Sequence, residues 1–460
     1  MSGPPSTRAG WAGLRARVSS HRGGLTGLSI GIVIGLVIAT MWTPQWPFNS
    51  EDRLDDGEYL VVLSGKDDSV DGQRQRLIDT WNDTHPHQQA RIEVLSSSAD
   101  EQHSEMLRRA QSSAADVDVY NLDVTWTAEF AAGHYIRALK DVDENGFLRK
   151  PLDTCRYSGE LWALPFNTDA GLLYYRTSLL KDAYSKEEWK TLVDPAQHPP
   201  SWTRIKNDAE RVQALKRPGT EALKAAYTGQ FANYEGLTVN AMEAVWAADG
   251  EVVDENNTIA LGSQEAVDGI STLLGGLNDD RIIVDGARVQ DEAESTQAFK
   301  DGQVLFMRNW PVAYRQLAQR STDENPDPTN NFDVTSLPGP CALGGQNLAV
   351  ADKSRHPEAA RQLIEFLTDD ASQQALFQDG GLASTRLRTY QDPQITQHYP
   401  YAKTLLAAIQ KAKLRPVTAH YWSFSKVFRQ VIEEVMNTGE PISADQIEEL
   451  QLALKGKITP

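Results

Sequence analysis

Tyr59-Leu-Val-Val-Leu-Ser64, Arg91-Ile-Glu-Val-Leu95 and Val117-Asp-Val-Tyr-Asn-Leu122 are short apolar or alternating runs, and a helically spaced stretch follows each of the first two. Asp71 to Asn82 places Leu77, Ile78 and Trp81 on one side of a helix, and Glu101 to Gln111 reads as a second. A βαβαβ order means an α/β fold with a parallel sheet, because parallel neighbours need crossovers long enough to hold a helix. Ligands of such sheets sit beyond the carboxyl ends of the strands. The turn after Ser64, with Asp67, and Asp123 after the third strand are therefore candidate binding positions.

The mixture continues. Helices are expected at Leu237–Ala248, Gln264–Leu277, Pro357–Phe377, Ala402–Ala412, Trp422–Met436 and Ala444–Leu454, with a strand at Val304–Met307. At 460 residues, 40% hydrophobic and 23% charged, the chain can bury two or three cores, which excludes disorder throughout. Its net charge is −18, and the first fifty residues hold Arg8, Arg15, Arg17 and Arg22 and no acid, leaving −22 on the rest. A body that acidic repels nucleic acid and anionic lipid.

Leu25 to Thr43 is a mostly apolar run about 28 Å long as a helix, close to the thickness of a bilayer core. Arginines before it and acids after it give a single-pass cell-membrane topology: tail 1–24 in the cytoplasm, anchor 25–43, tether 44–58 and the body outside. A cleaved signal peptide competes, but the small-residue pattern around Ala39-Thr40-Met41 is poor. Gly27-Leu-Ser-Ile-Gly31 matches a nucleophile elbow inside this apolar span, with no strand before it, and is set aside. Gly27, Gly31 and Gly35 form a stripe suited to a helix–helix dimer, against the plain abundance of glycine in membrane helices.

Catalytic and cofactor signals are thin. His85-Pro-His87 reads as a solvated turn, so no metal is expected, and no glycine-rich phosphate loop opens a helix, so no cofactor is either. Polar and aromatic residues instead gather at element ends: Asp123-Val-Thr-Trp-Thr127, Leu164-Pro-Phe-Asn-Thr-Asp-Ala-Gly171, Asn233-Tyr-Glu-Gly236, Arg308-Asn-Trp-Pro311, Leu337 to Gly345 and Arg415-Pro-Val-Thr418. That is the chemistry of a sugar site. A pyranose packs its apolar face on an aromatic ring while carboxylates, amides and guanidinium groups pair with its hydroxyls.

The run Asp116 to Phe130, then Gly159 to Arg176, Phe306-Met-Arg-Asn-Trp-Pro311, His356-Pro-Glu-Ala-Ala360 and Arg415-Pro-Val-Thr418 resemble, in order, the family 1 extracellular solute-binding proteins of ABC sugar importers, most of all their trehalose/maltose branch. The resemblance covers Tyr59 to the C-terminus. It implies a two-lobed, type II periplasmic-binding-protein-like fold with an interlobe hinge: 59–170 and 349–390 in lobe 1, 171–348 and 391–460 in lobe 2, and crossings near Ala170, Leu348 and Tyr390. It implies that Asp123, Asn167 and Glu235 bind sugar hydroxyls, Trp310 stacks, Gly345 contributes backbone and Arg415 clamps a hydroxyl pair. Asp67, Tyr174 and Gln346 are further ligand candidates, and Tyr421 is weaker. Gln346 stands where the branch often has Trp, Ala383-Ser-Thr-Arg386 replaces a more usual Leu-Pro-Thr-Arg, and no lipoprotein cysteine follows the apolar run.

In that fold Cys155 and Cys341 both run toward the crossings, where they form either one bridge or two buried thiols. The function implied is capture of a carbohydrate of α-glucoside, trehalose or maltose type and its delivery to ABC permease subunits. A membrane-anchored sugar sensor with the same body is the second reading. A glycan-active enzyme is the third, without an isolated acid pair to support it.

Overall fold

The computed structural model describes residues 53–96, 98–192, 200–216, 219–318 and 331–458. The expected tail, the anchor at Leu25–Thr43, its stripe of Gly27, Gly31 and Gly35, and most of the tether lie outside the described residues. Among the described residues, no helix is long and apolar enough to cross a membrane.

The strands of the two main sheets are β1 (Leu60–Ser64), β2 (Ala90–Val94), β3 (Val119–Asp123), β4 (Leu164–Ala170), β5 (Leu172–Arg176), β6 (Ala225–Thr228), β7 (Val304–Asn309), β8 (Phe332–Thr335) and β9 (Leu343–Val350). Five make one sheet in the order β2-β1-β3-β9-β4, and four make another in the order β8-β5-β7-β6. β1 runs parallel to β2 and β3, with helices α1 (Gln73–Thr84) and α2 (Ala99–Gln111) in the crossovers, as the alternation of the opening segment dictates. β9 returns antiparallel between β3 and β4.

Each sheet has its own core. Leu60, Leu63, Ile78, Trp81, Phe130 and Ile364 belong to the first cluster, and Leu172, Val245, Leu305, Phe424 and Phe428 to the second. In the second lie α3 (Glu235–Ala247), buried nearly all round, and α4 (Tyr421–Thr438), which repeats Tyr421, Phe424, Phe428, Val431, Ile432 and Val435 at helical spacing and stops at Gly439, whose φ of 74° suits a glycine C-cap. Truncating a ring such as Phe428 to Ala should cost about 3–5 kcal/mol.

Gly171 alone joins β4 of the first sheet to β5 of the second. A Cβ there would lie 2.8 Å from Glu243 Oε1 and 3.0 Å from Arg308 Nη2, so the crossing needs the bare backbone. On the way back, the expected boundary at Leu348/Ala349 falls inside β9, which pairs within the first sheet along its whole length; the crossing therefore precedes Leu343. The helix expected over Pro357–Phe377 is two, Pro357–Leu367 and Asp370–Gln378, because the Asp369 side chain accepts from Ser372 N and starts a new helix.

Candidate functional site

Three neighbouring strands of the first sheet carry a polar row across one face. Gln346 on β9 lies opposite Asp123 on β3 and opposite Asn167 on β4, so all three side chains share one face. Gly345 beside them has φ of 112°, and a Cβ there would stand 2.2 Å from Asn167 O. Only glycine fits this irregular step of β4 and β9, and its carbonyl accepts Val124 N–H at 3.1 Å.

Arg415, on the loop before α4, joins this row to the second sheet's helices. Its guanidinium donates to Asp123 Oδ1 at 3.1 Å and to Glu235 Oε1 at 2.7 Å. Glu235, the first residue of α3, also accepts from the hydroxyls of Tyr421 and Ser425, and Asp123 from Thr125 N and Oγ1 at 2.9 and 2.7 Å. Burial works against the Arg415 charge, but Asp123, Tyr421 and Glu235 outweigh it and raise its pKa above the ordinary guanidinium value. Burial, then Glu235, pushes the Tyr421 phenol well up, so it stays a donor.

A second guanidinium lies under the row. Arg74 donates to Ser64 Oγ at 3.2 Å and Gln346 Oε1 at 3.4 Å, and its Nε is 3.6 Å from Asp67 Oδ1. Asp67 is occupied locally, accepting Ser69 N at 2.9 Å and Arg74 N at 3.2 Å. The sequence reading missed Arg74, although the signal was there: with Leu77, Ile78 and Trp81 it forms one stripe of α1 and is buried with them.

Trp310 follows β7. Its Nε1 donates to Glu292 Oε1 at 3.0 Å, and one face lies on the Arg308 guanidinium, 3.7 Å from the ring centroid. Arg308 is wholly buried and held by Glu243 at 3.0 and 2.8 Å and by Gln230 at 3.1 Å. The indole edge reaches the first sheet, where Cη2 would be 3.3 Å from a Cβ on Gly344. Tyr174 lies in the second core, fully buried, and spends its hydroxyl on Trp310 O at 2.7 Å, holding the loop that carries Trp310. Asp169, absent from the sequence-derived set, lies on β4 two residues past Asn167, and burial together with the nearby Asp123 pushes its carboxyl up to about 7 despite Arg74 and Arg308.

Cys155 and Cys341 are free and buried, one in each core, with Sγ atoms near Pro151 O and Ala408 O. The single bridge is not formed, and burial pushes the Cys341 thiol up to about 12, leaving it unreactive.

Residues 67–374 match the family described as bacterial extracellular solute-binding protein. A probable ABC transporter-binding protein of Deinococcus radiodurans is 28% identical over 337 residues, 70% of this chain and 76% of that one. Among solved structures, the maltose-bound T. maritima MalE3 superposes with a TM-score of 0.74 at 27% identity over 87% of this chain and all of that one. The GacH receptor of Streptomyces glaucescens, solved unliganded and with acarbose, gives 0.69 at 20% identity over 86% of this chain and 99% of its own, a likeness of fold.

Proposed function

Because this chain belongs to the bacterial extracellular solute-binding protein family, we propose that it captures an oligosaccharide of the α-glucoside type, trehalose or maltose among them, between its two lobes and delivers it to an ABC permease. Proteins of this family are binding proteins, not enzymes, and the site has the matching character: hydrogen-bonding groups around one indole. The observation that carries the proposal is Arg415, whose guanidinium touches Asp123 at the edge of the first sheet and Glu235 on a helix of the second. A ligand hydroxyl pair taken by these groups makes contacts to both lobes only when they are together, so binding favours the closed arrangement. Asn167 and Gln346 extend the polar row, Gly345 shapes it, Asp67 and Arg74 support it from below, and Trp310 offers the stacking surface. Trp310 is held from behind by Tyr174.

The run Leu25–Thr43 would tether the body at the outer face of the membrane, beside the permease. Isothermal titration with trehalose, maltose, longer α-glucans and unrelated polyols tests the ligand class. The proposal expects an α-glucoside among the binders, with affinity lost in Arg415→Ala and Trp310→Ala; binding by polyols alone would overturn it.

A further inference from the structure

Asp169 and Trp310 come from different sheets and meet over one glycine. Gly344 pairs with Asp169 in the β4–β9 register, and a Cβ on Gly344 would stand 3.2 Å from Asp169 Cβ and 3.3 Å from the indole edge. Asp169 and the indole edge therefore border the same point of the β9 backbone.

The acceptors here lack donors. Among the described residues, the hydrogen bond found for the Asp169 carboxylate is a long one from Asn167 Nδ2 at 3.5 Å. Asn167 is 1% exposed, and its Oδ1 is buried without a partner. The positive charges are already engaged: Arg415 by Asp123 and Glu235, Arg308 by Glu243, and Arg74 by Asp67, Ser64 and Gln346. Asp68, Asp123, Arg74 and Arg308 are the charged groups facing Asp169, and its carboxyl stays raised to about 7 in their company, with burial as the main cause. A neutral hydroxyl would bring one donor and leave this acid either protonated or uncompensated, whereas an ammonium brings three donors and the missing charge.

We propose that Asp169, with Asn167 beside it and Trp310 across Gly344, receives a protonated amino group, so that the ligand is a saccharide carrying an amine. The inference rests on the saccharide-binding reading above and narrows its substrate class.

The test is isothermal titration of the full chain with three probes: maltose, its analogue carrying one 2-amino-2-deoxyglucose unit, and the N-acetylated form of that analogue. Near pH 7 the amino analogue should bind about ten-fold or more tighter than the other two. Its advantage should shrink as the pH falls to about 5.5, because Asp169 must then release a proton to receive the ammonium. It should vanish in Asp169→Asn while maltose binding survives. Maltose binding as tightly as the amino analogue overturns this inference and leaves the saccharide reading standing. An amine advantage that persists in folded Asp169→Asn also overturns it, as does failure of all three probes, while the titration with trehalose and longer α-glucans decides the saccharide reading separately. If Asp169→Asn does not fold, the N-acetyl comparison and the pH dependence of the wild-type protein decide.

Discussion

Asp100 and Arg429 are 329 residues apart in sequence and 3.1 Å apart in space. Asp100 lies in the first turn of α2 beside the first sheet, and Arg429 is buried on α4 beside the second. Nearby on the same helices, the His103 ring stacks on Trp422 with centroids 5.2 Å apart, while Trp126 meets His103 edge-on and Glu129 takes its Nε2. With the Arg415 bridge, these contacts describe a closed cleft held at its rim as well as at its centre.

Breaking the rim should weaken binding without touching the ligand. Asp100→Ala or Trp422→Ala is expected to reduce affinity by about two- to ten-fold, the scale of a half-exposed ion pair or one ring contact, mainly through faster dissociation. Stopped-flow dissociation rates check this, and unchanged rates in both variants would remove the rim from the account.

At the centre the cost is larger. Arg415→Ala leaves Asp123 and Glu235 facing each other without their shared donor and should cost about 1–3 kcal/mol of binding, roughly 5- to 150-fold. Titration calorimetry with any bound saccharide reads it directly, and wild-type affinity in this variant would contradict the clamp.

Glu243→Ala strips the buried Arg308 of its carboxylate and should lower stability by about 3–5 kcal/mol, with denaturant unfolding as the measure. Glu243→Gln, which keeps a hydrogen bond, should lose less. Since Arg308 lies under Trp310, the Gln variant should also blunt the fluorescence change on ligand addition.

Asp169 predicts a pH signature. Its carboxyl is raised by burial to about 7, above the unfolded value, so the folded state favours the protonated form. The stability it contributes is full below the unfolded pKa and is lost as pH rises through about 7. Asp169→Asn should therefore match the wild type near pH 4 and be the more stable near pH 8, by an amount on the order of 2 kcal/mol. Melting curves across that range decide it, and a variant less stable at pH 8 would mean the carboxylate is well compensated.

Much of this was legible in the chain. The parallel opening could be read because β1, buried along its length, is a continuous apolar run and helically spaced stretches separate the first three strands, and Gln264–Leu277 and Ala444–Leu454 stand where their spacing placed them. Asp123, Glu235 and Arg415 could be named, but their mutual contact could not, since it depends on how two sheets close. Arg74 and Glu243, and the burial of Arg308, stayed hidden because charged residues in helices and strands ordinarily face water; here each has a charged or amide partner distant in sequence or fold. Of the two alternatives for Cys155 and Cys341, the buried thiols hold, each belonging to a different core.

The claim beneath all of this is that one ligand is held by both lobes. Small-angle scattering of residues 54–460, with and without a saccharide shown independently to bind, tests it most directly. The account predicts a smaller radius of gyration at saturation, as the ensemble moves to the arrangement in which Arg415 spans Asp123 and Glu235. An unchanged radius at saturation would mean either a cleft already closed before the ligand arrives or a site confined to one lobe, and either would contradict the account.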